Sequence, residues 1–145
     1  SYQRDFEYLQ PLTAGTTLAS AIQIGNPVSY ERAVNALQYF NGVVERVNED
    51  ELANAAVMAD QTGLYACPHT GVALGALQKL RNKDIIRESD RVVVISTAHG
   101  LKFSRFKVKY HSQELKMISE RYANPPLDLP ADFDVVKAVI EENTP

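Results

Sequence analysis

Two short stretches hold the residue types from which chemistry could be built. Cys67 and His69 stand two apart around Pro68, with Thr70 next, a spacing that could pair a thiol with a base or supply half of a metal site. Ser96, Thr97 and His99 follow the β-branched run Val92-Val93-Val94-Ile95 and precede Gly100. In open α/β sheets ligands sit beyond the carboxyl ends of the strands, so this second stretch is where a ligand is expected. The plainer alternative is that Ser96 and Thr97 cap a helix and Gly100 makes a turn. A metal site would need further ligands, and no spacing among Cys67, His69, His99 and His111 supplies them. Ser96 and Thr97 lack the Gly-x-Ser-x-Gly elbow of a serine nucleophile, and no glycine loop of the dinucleotide or P-loop kind is present. Motifs alone therefore assign no catalytic and no metal-ligating residue.

Placing these stretches requires a sheet covered by helices. Residues 92–95 are apolar throughout, as strands buried on both faces are, and residues 43–47 and 64–67 read as two more strands. Between them, Ser29 opens a helix with Ala33, Val34, Ala36, Leu37 and Phe40 at helical spacing, stopped by Asn41-Gly42. Asn48 and Glu51 form a capping-box signature for a helix through about Gln61, and Val72, Ala73, Ala76, Leu77 and Leu80 share one face of a helix over residues 72–81. The alternation predicts an α/β fold with a mostly parallel sheet flanked by helices. Beyond Gly100 an amphipathic helix is expected to about Tyr122. An extended link through residues 124–130 then leads to a helix over residues 132–142 with Phe133, Val136, Val139 and Ile140 inward. Residues 1–15 read as the tail of an element that began earlier, and the missing initiator methionine suggests an N-terminus that was cut, trimmed or renumbered.

With 145 residues, 45% of them hydrophobic and 23% charged, the chain has the size and composition of one soluble domain. A net charge of −3 argues against nucleic acid as a partner, since phosphate binding needs a basic surface. Lys102, Arg105, Lys107 and Lys109 do cluster, and read as a solvated helix face. A single cysteine, Cys67, allows no internal disulfide, and no apolar run is long enough for a membrane span.

Four segments, in order, resemble the C-terminal part of threonine synthase, most closely of the plant and related bacterial type. They run from Thr17 to Ser29, from Ala66 to Leu74, from Val93 to Phe103 and through Asn124-Pro125-Pro126. The resemblance covers nearly the whole chain. It implies a pyridoxal-phosphate (PLP) enzyme of fold type II, the tryptophan-synthase-β fold, that converts O-phospho-L-homoserine and water to L-threonine and phosphate. Residues 1–103 would then be the distal part of the PLP-binding domain and residues 104–145 a C-terminal helical extension.

Carried over by position, Thr97 is the hydroxyl residue at the PLP pyridine nitrogen. A hydroxyl, unlike a carboxylate, leaves that nitrogen largely unprotonated and moderates the electron sink. Ser20, Ala21 and Ile22 match the small-residue wall over one face of the ring, and Cys67, His69 and Thr70 match the turn at its pyridine edge. The family's Schiff-base lysine, its phosphate cup and its substrate-carboxylate loop belong upstream of the region matched here, and Lys102 does not replace the lysine. PLP is thus expected only with that upstream portion as partner, the isolated chain is expected to be inactive, and the whole enzyme is expected to be a homodimer. Its place would be the plastid stroma in a plant or the cytoplasm in a bacterium. The alternative is a non-catalytic interaction or regulatory module derived from such an enzyme.

Overall fold

A computed structural model describes residue 2 and residues 6–144; the expected tail of an earlier element falls partly outside them, on residues 1 and 3–5. The described residues form α1 (Tyr30–Tyr39), α2 (Glu49–Asp60), α3 (Pro68–Asn82), α4 (Ser104–His111) and α5 (Phe133–Asn143), with 3₁₀ turns at Ser20–Ile22 and Gly100–Phe103.

The centre is α2. Asn48 accepts from the Glu51 N–H at 2.8 Å while Glu51 accepts from the Asn48 N–H at 2.8 Å, a complete capping box that satisfies two donors and fixes where the helix starts. From Leu52 to Ala59 its residues are all small or apolar, and Leu52, Ala53, Asn54, Ala55, Ala56, Val57 and Ala59 are all buried. A helix covered on all sides lies inside the molecule. Against it packs α3, and the closeness of the crossing is set by glycine: a Cβ on Gly71 would stand 2.3 Å from the Leu52 carbonyl oxygen and 2.9 Å from the Ala56 Cβ. Phe106 and Tyr110 of α4 complete the same core with Ala66. Beside them, Asn54 Oδ1 accepts from the fully buried Tyr110 hydroxyl at 2.6 Å and from the Arg121 N–H at 3.0 Å. Asp50 receives the Ser119 N–H and hydroxyl, each at 2.7 Å, so the irregular segment after α4 is fastened to α2.

The expected mostly parallel sheet is not formed among the described residues. Residues 43–47 and 91–97 have no regular structure, and the pairing of the third predicted strand is reduced to one isolated antiparallel bridge, Ala66 to His99. The direction of the chain is nevertheless informative. Glu45 pairs with Lys83 near the C-terminal end of α3 and Val47 lies against Gly75. Likewise Val92 to Ile95 line a cleft with Leu80, Leu77 and Ala73, and Ser96 reaches Thr70 at the N-terminal end. Both segments therefore run in the same sense along α3, opposite to the helix. Their β-branched residues favour a pleated surface only where a neighbouring strand accepts their backbone hydrogen bonds. With no neighbour, Val93 is 90% and Ile95 76% exposed.

The remaining differences are local. Helix α3 starts four residues earlier than the apolar pattern predicts, because Cys67 caps it and Pro68 suits its first turn. The long helix expected after Gly100 is a 3₁₀ turn followed by α4 alone, which ends where Gln113 takes a positive φ of 57°. In α5, Asp132 caps the first turn, but Phe133 and Ile140, expected inward, are exposed.

Candidate functional site

Three separate stretches meet at the N-terminus of α3. Cys67 occupies the N-cap in extended backbone, and its sulfur accepts the Thr70 N–H at 3.4 Å. Pro68 at the first helical position has no N–H to leave unpaired. The Cys67 sulfur lies 3.3 Å from the Thr70 hydroxyl and 3.8 Å from the Thr97 hydroxyl, and the Thr70 hydroxyl lies 3.2 Å from that of Ser96. Cys67 and Thr70 are wholly buried, whereas Ser96 and Thr97 are exposed, so a chain of small polar groups runs from the core to the surface.

His69 draws in the third stretch. Its Nε2 accepts the Ala21 N–H at 2.9 Å, which holds the Ser20–Ile22 turn beside the start of α3 and leaves the ring proton to Nδ1. Phe103 meets the His69 ring edge-on at 5.0 Å between centroids. The structure thus joins Ala21 to His69, and Cys67 and Thr70 to Thr97 and Ser96. Ser20 and Ile22 stay exposed on the same turn as Ala21. Among the described residues no group of three or more His, Cys, Asp or Glu side chains could hold a metal ion. Neither Ser96 nor Thr97 caps the turn that follows them; His99 does, accepting the Leu101 N–H at 3.2 Å.

The charge on the thiol follows from this setting. Burial pushes the Cys67 thiol up, but hydrogen bonds from the Thr70 side chain and N–H, with His69 and Thr97 nearby, outweigh burial and bring it down to about 6. A sulfur so placed accepts the Thr70 N–H and touches two hydroxyls, and is not a spare apolar filler.

Two residues that support this corner were missed in the sequence. Asp60, the last residue of α2, accepts the Ala66 N–H at 2.9 Å and the Lys107 ammonium at 2.5 Å. Lys107, placed among solvated cations by its composition, has a side chain only 3% exposed and lies over the Tyr65 ring at 5.0 Å. Desolvation lowers its pKa against the opposing pull of Asp60. The signal was present in the spacing: Phe103, Lys107 and Tyr110 recur at four and three residues, on the face of the chain that turns inward.

What the corner can hold is limited by its donor set. It offers hydroxyls, a thiol and one end of a helix. The carboxylate behind it, Asp60, is already engaged by Lys107 and Ala66. That set suits the nitrogen edge of a heteroaromatic ring and provides no cradle for a phosphate. Residues 4–98 match the model of the family described as pyridoxal-phosphate dependent enzyme, and the chain belongs to that family, whose cofactor is pyridoxal phosphate and whose fold is type II. Its relatives narrow the class. The chain is 53% identical over 97% of its length to "Threonine synthase 2, chloroplastic" of Arabidopsis thaliana, and 30% identical over 87% to the threonine synthase of Methanocaldococcus jannaschii. A third relative, the threonine synthase of a Bacillus species, is 28% identical over 86% of the chain. The chain spans 27%, 28% and 34% of the length of these three relatives.

Proposed function

We propose that this chain supplies one side of the PLP pocket of a threonine synthase, in which O-phospho-L-homoserine and water yield L-threonine and phosphate. The observation that carries the reading is the convergence of the Ser20–Ile22 turn, Cys67 to Thr70, and Ser96-Thr97 on one helix end, in a chain 53% identical to a chloroplastic threonine synthase. When bound, PLP supplies the electron sink that elimination of a phosphate requires. The work of this chain is placement. Thr97 would hold the pyridine nitrogen by donating its single hydroxyl proton there, with the Cys67 sulfur 3.8 Å away as its neighbour and not as the acceptor of that proton. Ser20, Ala21 and Ile22 line one face of the ring, held there by the Ala21 N–H bond to His69, while Thr70 ties the ring edge to Ser96. Residues 1–103 belong to the PLP domain and 104–145 to a C-terminal extension packed on it.

The Schiff-base lysine and the phosphate cup are contributed by the rest of the enzyme, so the chain alone has no turnover. The full enzyme is a homodimer, and the name of the Arabidopsis relative supports a chloroplast setting. No described helix is long and apolar enough to cross a membrane.

The test is Thr97→Val in the full-length enzyme that contains this sequence. Loss of one hydrogen bond of ~1 kcal/mol is expected to weaken PLP binding roughly fivefold. The absorption spectrum of the bound cofactor should shift and turnover should fall with it. An unchanged spectrum and unchanged affinity would remove Thr97 from the pyridine edge.

A further inference from the structure

We propose that Asp60, steadied by its buried ion pair with Lys107, is a positioning residue for the cofactor edge, its hydrogen bond to Ala66 fixing the turn at residues 65–67 and with it the register in which Cys67 meets Thr97. The inference rests on the reading of Thr97 given above and adds residues that lie outside the cluster itself. Burying a cation as fully as Lys107 is costly, and apolar side chains of similar volume commonly serve stability as well or better. The pair must therefore be considered for what it holds. The two carboxylate oxygens of Asp60 have separate tasks: Oδ2 takes the Lys107 ammonium, and Oδ1 takes the Ala66 N–H at 2.9 Å. Lys107 also lies over the Tyr65 ring, so both residues ahead of Cys67 are held from the α2 and α4 side.

That turn is in turn the seat of the chain beyond Thr97. The Tyr65 carbonyl accepts the Gly100 N–H at 2.8 Å, and Ala66 bridges His99. The approach is tight, because a Cβ on Gly100 would stand 2.7 Å from the Tyr65 ring and 3.0 Å from the Ala66 carbonyl oxygen. From Asp60 the path is short: Asp60 to Ala66, then to the adjacent Cys67, then 3.8 Å to the Thr97 hydroxyl. A second path reaches Thr97 from the other side through His99. A turn released by Asp60 loses the bond at Ala66 that sets where Cys67, the next residue, meets the Thr97 hydroxyl. In this scheme Asp60 and Lys107 touch neither cofactor nor substrate; they act through the turn.

Two paired variants of the full-length enzyme separate positioning from plain stability. Asp60→Asn with Lys107→Met removes both charges but keeps an oxygen that can accept the Ala66 N–H. Asp60→Leu with Lys107→Met removes the acceptor as well and fills the space with apolar atoms. The first pair is expected to keep the cofactor spectrum and PLP affinity of the wild type within about twofold. The second is expected to stay folded, the stranded Ala66 N–H being offset by removal of the buried ion pair, yet to bind PLP about fivefold or more weakly, the loss expected for one misplaced hydrogen bond, with a shifted spectrum. If Asp60→Leu with Lys107→Met does not fold, Asp60→Ala with Lys107→Met takes its place with the same expectation. A pair lacking the acceptor that folds and shows wild-type spectrum and affinity overturns the inference. Thr97→Val in parallel keeps the two proposals apart: no effect there overturns the reading of the pyridine edge, whereas an effect there with none in the acceptor-free pair overturns this inference alone.

Discussion

At the scale of single residues, the energetics of this corner turn on groups that have no access to water. Cys67 is wholly buried, and its thiol is brought from the ~8.5 of a free thiol down to about 6 because Thr70, His69 and Thr97 stabilise the thiolate more than burial disfavours it. An acid whose pKa is lower in the folded state stabilises the fold most above its unfolded value. That contribution declines as pH falls from ~8.5 towards the folded value of about 6, and is gone below it. Titrating the ultraviolet thiolate band should accordingly give a midpoint of about 6, and Cys67→Ser, which puts an N-cap oxygen in place of the sulfur, should abolish both the band and that part of the pH dependence of unfolding. A midpoint near that of a free thiol would mean that the hydroxyls do not donate to the sulfur. Tyr110 poses the same question without charge. Its hydroxyl gives a proton to Asn54 at 2.6 Å and accepts the Tyr122 N–H at 3.1 Å, so Tyr110→Phe strands a backbone donor and should cost about 1–3 kcal/mol in denaturant unfolding.

At the scale of elements, the contact between α2 and α3 shows how packing can reverse a propensity. Replacing glycine by alanine inside a helix ordinarily stabilises by roughly 0.5–1 kcal/mol. At Gly71 the added Cβ would lie 2.3 Å from the Leu52 carbonyl oxygen, a backbone atom that cannot swing aside. Overpacking of this kind costs about 1–3 kcal/mol, so Gly71→Ala is expected to be net destabilising, read as a lower midpoint of chemical unfolding; a neutral or stabilising result would mean that the helices can part freely. The helices themselves were legible from capping and period. Asn48 with Glu51 marks the start of α2, and the apolar stripe from Val72 to Leu80 marks α3. The early start of α3 was hidden because Pro68 and His69 look like a turn until Cys67 is seen as a cap. The inward face of α4 was hidden because Lys107 reads as solvent-facing by type, although its phase with Phe103 and Tyr110 is that of a core residue. Of the candidate site, the family resemblance singled out Thr97, Cys67, His69, Thr70 and the Ser20–Ile22 turn. That Ala21 is tied to His69, and Thr70 to Ser96, comes from contacts across 48 and 26 residues that no local pattern encodes.

At the scale of the whole molecule, two runs rich in β-branched residues that read as strands are left without regular structure. Residues 43–47 and 91–97 travel in the same sense along α3, as successive strands of a parallel sheet covered by that helix would. Their backbone donors and acceptors form no ladder among the described residues, and Val93 and Ile95 lie almost bare. The relatives are about two and a half to three and a half times as long as this chain, and a whole protein of such length leaves ample polypeptide to provide the missing neighbours. Amide exchange distinguishes a strand that awaits a neighbour from a segment that is irregular by nature, because protection reports the hydrogen bond itself. In the isolated chain the amides of 43–47 and 92–96 should exchange nearly as fast as a loop, while those of α2, closed by its capping box and buried on all sides, should be protected. In the full-length enzyme the same two segments should become as slow as α2, and Val93→Lys, harmless to the isolated chain because that side chain is in water, should destabilise the whole enzyme by burying an unpaired charge. Rapid exchange at 92–96 in the whole enzyme would show that the β-branched run is not a strand there, and would leave Thr97 without the rigid strand end on which its proposed role depends.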